Sequence, residues 1–241
     1  MPTVELLNNK KHKELRLRQQ LLTSECALGS TMIMPSEFVS VQREYPILFR
    51  KDPTTGQFYP SAMLGFSQHE NLFFSNDRWQ STYVPLILRR GPFLIGFQNQ
   101  QRELDREKVP VIYVDVDDER ISTTDGELVF AEDGERSALM CSISQVLMEI
   151  HQGCEESKEM IDIFSELNLI EPVNLSVSLH NGEHIKLSGM YTINNETLST
   201  LRGHHLEKIH ASGFLRYAYC IVNSLDNFKH LISLKNDLVT Q

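Results

Sequence analysis

Residues 135–193 read ERSALMCSISQVLMEIHQGCEESKEMIDIFSELNLIEPVNLSVSLHNGEHIKLSGMYTI, and the fold class turns on a change of period inside them. In the first part Leu139, Ile143, Val146, Leu147 and Ile150 recur at steps of three and four, the mark of a helix that buries one face. Gly153 lies where such a helix would end. SKEMIDIFSELNLI repeats the pattern with Met160, Ile163, Phe164 and Leu167, which predicts a second helix before Pro172. From Asn174 the period drops to two. NLSVSLHNGEHIKLSGMYTI alternates about Asn181-Gly182, a pair that favours a two-residue type I′ hairpin. In that hairpin His180 faces Glu183, and Leu179 faces His184.

Upstream the pattern is extended and broken by turns. VELLN and ELRLR read as short strands, and Pro35-Ser36-Glu37 opens a short helix over FVSVQREY with Ser36 as a cap. ILFRK and FYPSAMLGF read as two strands around DPTTGQ, followed by a strand at ENLFF and a helical turn or two at YVPLILRR. PFLIGF reads as a buried strand. After the polar insertion QNQQRELDREK comes VPVIYVDVD, the strongest strand signal in the chain. TTDGELVF reads as a hairpin arm around Asp125-Gly126. Downstream of residue 193 the chain predicts two or three helices broken near Gly203 and Gly213. The expected class is α+β: a β-rich N-terminal half with mainly antiparallel strands, and a helical C-terminal half carrying one hairpin. The whole chain, 1–241, reads as one domain, with a subdivision at 1–133 and 134–241.

The 241 residues suffice for a core without metal or disulfide staples. Hydrophobic residues make up 41% and charged residues 23%, the mix of a globular protein. The net charge of −9 argues against nucleic acid, since duplex binding requires a basic footprint. The basic run is local: residues 10–18 carry five Lys or Arg against one Glu. It reads as a solvated strand or arm. Cys26, Cys141, Cys154 and Cys220 lie far apart, without the spacing of a zinc site, and read as mostly buried thiols. No stretch is long and apolar enough to span a bilayer, and the first twenty residues lack the apolar segment of a secretory signal. Cytoplasmic location is the expectation.

The candidates for chemistry each meet a physical objection. His180-Asn-Gly-Glu-His184 has the letters of a zinc-protease motif, but that chemistry requires a helix, and Asn-Gly favours a turn. His204, His205 and His210 lie close in sequence, yet adjacent helical residues diverge by about 100°. The acidic run Asp115 to Glu119 lacks the central glycine and spacing of a calcium loop. The chain has no nucleophile elbow, phosphate loop or dinucleotide fingerprint. No catalytic residue, cofactor or metal is assigned.

What remains is the stretch 44–97, which holds the single tryptophan, Trp79, and seven of the twelve phenylalanines. Arg89-Arg90 stands between two of its apolar runs. Arginine's planar fork suits a carboxylate or phosphate and stacks on rings such as Trp79 or Tyr83. An internal salt bridge to Glu70 or Asp77 is the structural alternative. His69-Glu70 sits in a loop and is of a type that can transfer protons.

These elements resemble the SapC family of bacterial proteins, named for a surface-layer operon. Glu44-Tyr45-Pro46-Ile47 with Phe49 resembles its Tyr-Pro-Ile/Val-x-Phe element. Gly65 with Glu70-Asn71-Leu72-Phe73 resembles its Leu-Gly…Glu-Asn-Leu-Phe element. Trp79, Tyr83-Val84-Pro85, Arg89-Arg90 and Pro92-Phe93 resemble a third element, and Gly91 departs from the bulky residue usual at its position. HKELRLR, Gly126 to Phe130, Leu187 to Ile193 and Ala218 to Leu225 continue the resemblance over nearly the whole chain. It implies a role tied to surface-layer or outer-membrane systems and no particular mechanism. The expected function is a non-enzymatic binding or accessory protein. It would recognise a peptide, protein or anionic ligand through Trp79, Arg89, Arg90, Glu70, Asn71 and Tyr83. An enzyme with His69, Glu70 and the arginines in one pocket is the alternative, and an oligomer-forming structural subunit the third reading.

Overall fold

The computed structural model describes residues 3–18, 28–75, 78–99 and 108–239. Cys26, Asp77 and most of the polar insertion before Lys108 lie outside the described residues. The chain is α+β, strand-rich in its N-terminal half and helical with one hairpin in its C-terminal half. Its contacts form two compact units, each assembled from two separate stretches: 1–23 with 86–152, and 24–85 with 153–241.

In the first unit β1 (Val4–Leu6), β8 (Phe93–Asn99) and β9 (Lys108–Asp115) form an antiparallel sheet in the order β1-β9-β8. Alternation turns Phe93 and Ile95 of β8 inward, against Leu15, Val114, Val129, Met140, Ile143 and Leu147. Each fully buried side chain of this kind contributes about 1.5–3 kcal/mol. Asp125-Gly126 does not make the expected hairpin. Instead β10 (Ile121–Ser122) and β11 (Glu127–Leu128) both pair with β2 (Arg16–Leu17). Gly126 permits this, because a Cβ there would lie 2.5 Å from Leu17 O and its φ is +103°. The short helix α2 (Leu86–Arg89) also belongs to this unit and ends at Gly91, where φ is +59°.

Helix α3 (Ala138–Glu166) corrects the expectation of two helices: it runs unbroken through Gly153. The glycine is there for packing. A Cβ at 153 would lie 2.6 Å from Met34 Cβ, so only glycine lets the buried Met34 side chain approach the helix. The helix closes at Asn168, whose φ is +54°, with Leu169 N donating to Phe164 O at 2.9 Å. That is a left-handed cap with asparagine in glycine's usual place.

The second unit is built on a five-stranded sheet in the order β12-β13-β4-β5-β3. Its strands are β3 (Ser30–Met32), β4 (Ile47–Lys51), β5 (Phe58–Met63), β12 (Ile170–Ser178) and β13 (His184–Ile193), and all pairs are antiparallel. Between β12 and β13 the turn holds three residues, not two: Leu179 N donates to Glu183 O at 2.9 Å, and Gly182 takes a φ of +86°. His184 therefore pairs with Ser178, and His180 does not face Glu183. Strand β6 (Phe74–Ser75) covers only the end of the strand expected at ENLFF and pairs with β7 (Arg78–Trp79).

Four helices follow the hairpin: α4 (Asn195–Thr200), α5 (Gly203–Ala211), α6 (Leu215–Ser224) and α7 (Phe228–Val239). The break between α6 and α7, unmarked by glycine or proline, is made by polar ties. Ser224 Oγ accepts from Ile47 N at 2.8 Å, and Asn227 Nδ2 donates to Gln42 O at 2.7 Å and Tyr45 O at 3.1 Å. The short helix α1 (Phe38–Val41) packs against α6. The core here includes Phe38, Tyr45, Ile47, Phe49, Phe164, Ile221 and Leu231, all fully buried.

Candidate functional site

Trp79 is the centre of an internal network. Its Nε1 donates to Tyr45 Oη at 2.8 Å and to Tyr83 O at 3.2 Å, and Tyr45 Oη donates to Tyr83 O at 2.5 Å. Tyr83 Oη donates in turn to Glu37 Oε1 at 3.0 Å. Glu37 is buried, and its Oε2 accepts from Met34 N at 2.7 Å. A last tie runs from Thr82 N to Glu44 Oε2 at 2.8 Å. Together these contacts clamp the segment around 79–83 onto residues 34–45. The polar edges that would read a ligand are already satisfied within the protein.

Glu70 and Asn71 have comparable duties. Glu70 pairs with Lys235 on α7 and accepts from Phe66 N at 2.8 Å. Asn71 Oδ1 accepts from Phe73 N at 2.9 Å. His69 is exposed in the same loop. Arg89 and Arg90 belong to the other unit. Arg90 Nη1 donates to Phe93 O at 2.9 Å, and Arg89 is exposed at the end of α2. The six residues expected as one site thus divide four and two between the units.

The other sequence candidates take local roles. Asp118 holds Arg120 at 2.7 Å. Burial pushes the Asp118 carboxyl up, but the hydrogen bonds and charge of Arg120, with a contribution from Arg90, outweigh it and hold the group below its ordinary value. His204, His205 and His210 are exposed on α5. Among the described residues no three His, Cys, Asp or Glu side chains converge to hold a metal ion, and no helix is long and apolar enough to cross a membrane.

Open space lies instead at the β3 rim of the five-stranded sheet. In register, Arg50 stands beside Tyr59 and Met190, and Ser30 beside Met63, so these side chains share one face. A groove of about 750 Å³ runs over that face, bordered by Ser30, Arg50, Lys51, Tyr59, Gln68 and Met190. Phe49 and Pro60 lie on the opposite face, where Phe49 meets Phe164 of α3 at 6.2 Å between ring centres. Between that side and α3 is a second groove of about 400 Å³, lined by Met34, Phe58, Pro60, Ser157 and Ile161. Met32 and Tyr59 border both.

The first groove is lined by one arginine, Arg50, and by the carboxylate Asp52. Arg50 Nη1 donates to the Ser30 hydroxyl, a neutral partner. Lys51 borders the groove, but register turns its side chain to the opposite face, where the ammonium lies 4.7 Å over the Phe58 ring and 5.0 Å over Tyr191. The adjacent acid, Asp52, is committed to its own turn, accepting from Thr54 N at 2.9 Å and Thr55 N at 2.7 Å. Those hydrogen bonds, led by the one from the Thr55 backbone, hold its carboxyl below the ordinary range. Sequence reasoning missed this rim. The one signal was ILFRK itself, where two cations end an apolar strand.

Residues 7–231 match the family model described as SapC. The chain belongs to the SapC family. Neither curated proteins nor solved structures give a match. The match spans both units of this SapC protein, so it takes in the grooved sheet, the Trp79 network and strands β8 and β9 of the first unit.

Proposed function

We propose that this SapC-family chain is a non-enzymatic binding protein, an accessory in a surface-layer or outer-membrane-linked pathway, which recognises a peptide, protein or anionic ligand. The pathway rests on the family alone. The binding role rests on one observation: two grooves flank β3, and the larger carries Arg50, whose partner is the neutral Ser30 hydroxyl. A site of this size and mixed polarity suits a ligand, and an arginine so placed suits a carboxylate. The site sits at the β3 rim rather than at Trp79, whose hydrogen bonds are used inside the fold.

The test is an affinity capture with three baits: wild type, the double variant Arg50→Glu with Lys51→Glu, and the double variant Arg89→Ala with Arg90→Ala. Circular dichroism confirms that each is folded. The reading expects the captured set to vanish with the first double variant and persist with the second. Capture that survives charge reversal at 50 and 51 but is lost at 89 and 90 returns the site to the arginine pair.

A further inference from the structure

Among the described strands β3 has one neighbour, β5, so its other side is a sheet edge. Ile33 N donates to Pro60 O at 3.1 Å, and Gly29 O accepts from Leu64 N at 2.8 Å. Antiparallel alternation then directs the backbone groups of Gly29, Thr31 and Ile33 toward β5, and those of Ser30 and Met32 outward. The Met32 side chain is 37% exposed at this edge. An added strand would find hydrogen-bonding groups in the plane of the sheet, a groove carrying Arg50 on one face and a mainly apolar groove on the other. Its own side chains alternate between those faces.

From this arrangement we infer that β3 takes up an extended peptide as a further strand, and that the peptide alternates acidic and aliphatic residues. The inference rests on the binding role proposed above and names its ligand. Main-chain pairing to Ser30 and Met32 supplies the affinity, and the two grooves supply the selection, as in other strand-addition sites. Acidic side chains meet Arg50, whose partner here is the neutral Ser30 hydroxyl. Aliphatic side chains enter the groove among Met34, Phe58, Pro60 and Ile161. Charge decides the class: a peptide carrying lysine in place of the acids would put like charges together, at a cost of a factor of ten or more.

The experiment titrates the full chain into fluorescein-labelled hexapeptides and reads polarisation. One peptide alternates valine with glutamate. A second alternates valine with lysine, and a third is the acidic peptide methylated on the backbone nitrogens of one edge. The acidic peptide should bind, the lysine peptide at least about tenfold more weakly, and methylation should weaken binding by a similar factor on whichever edge faces β3. Arg50→Gln should cost about tenfold for the acidic peptide. Ile161→Trp, which fills only the apolar groove, should weaken it independently. Amide exchange at Ser30 and Met32 should slow on binding.

If the acidic peptide binds but neither methylated edge changes its affinity, attraction is through charge alone and strand addition is overturned. If no peptide binds while capture from lysate still depends on Arg50 and Lys51, the peptide assignment fails and the binding role stands. If both fail, the rim is not the site. A concentration-dependent dimer that the acidic peptide cannot dissociate, and that Met32→Asp abolishes, would put a second copy on β3 and overturn the peptide reading.

Discussion

Tyr45→Phe tests the Trp79 network through an effect that fades as pH rises. The phenol oxygen accepts from Trp79 Nε1 at 2.8 Å and donates to Tyr83 O at 2.5 Å. Without it the indole N–H keeps only the longer contact to Tyr83 O at 3.2 Å. Loss of a hydrogen-bonding group with this partial rescue costs about 1–2 kcal/mol near neutral pH. In alkali the native tyrosine carries a penalty of its own. Burial pushes its phenol up to about 12, and Glu44 adds to this, against hydrogen bonds involving Ser81 and Trp79. A group whose folded pKa is raised contributes fully below its unfolded value, and that contribution fades as pH climbs through the folded one. For Tyr45 the window opens at 10.0 and closes at about 12. About 2 pH units at roughly 1.36 kcal/mol each set a ceiling near 2.7 kcal/mol, and solvent at the site's rim reduces it to on the order of 1–2 kcal/mol. Phenylalanine cannot titrate, so the wild-type advantage should shrink toward zero across this window. Urea unfolding near pH 8 and near pH 11.5, followed by the fluorescence of the single tryptophan, measures both gaps. A stability difference that stays constant between the two conditions would refute the reasoning.

Gly153→Ala should lower the melting temperature: the helix gains about 1 kcal/mol in propensity but the methyl meets Met34 Cβ at 2.6 Å, an overlap worth about 1–3 kcal/mol, and a rise in Tm would show that Met34 yields easily. Glu37→Gln should cost about 1–3 kcal/mol in denaturant, because both carboxylate oxygens accept, from Met34 N and Tyr83 Oη, and an amide offers one acceptor. Phe49→Ala should cost about 3–5 kcal/mol, since the ring is fully buried between Phe58 and Phe164. Arg89→Ala, at an exposed position, should leave stability within about 0.5 kcal/mol.

Local periodicity carried much of the fold. The apolar steps from Leu139 to Ile150 mark the buried side of α3, and the alternation after Asn174 marks the hairpin. What stayed hidden depended on residues far apart in sequence. Gly153 looks like a helix stop until Met34 is seen against it. Gly126 looks like a hairpin turn until Leu17 is beside it. The break after Ser224 has no local signal, because the groups that stabilise it are Ile47 N and two carbonyls near Tyr45. The placing of the candidate residues depended on distant partners in the same way. A dense aromatic and arginine segment is equally the signature of a ligand face and of a clamp, and Trp79 becomes a clamp only through Tyr45, which lies 34 positions away. Arg50 and Lys51 stand next to Asp52 in the chain. The carboxylate instead turns to Thr54 and Thr55.

The order of strands in the second unit also sets a timetable for synthesis. Strand β4, the apolar ILFRK, pairs with β5 soon after both are made, but its other neighbour is β13, and Ile47 N waits for Ser224. At roughly 5–20 residues per second, the ribosome leaves one edge of β4 uncovered for on the order of ten seconds. During that interval the nascent chain presents an unpaired apolar strand, an open template for the wrong partner. The cell's own production of this protein should therefore depend on holding factors at the ribosome more than its final stability suggests, and a stop codon placed before β13 should yield aggregate rather than a soluble fragment.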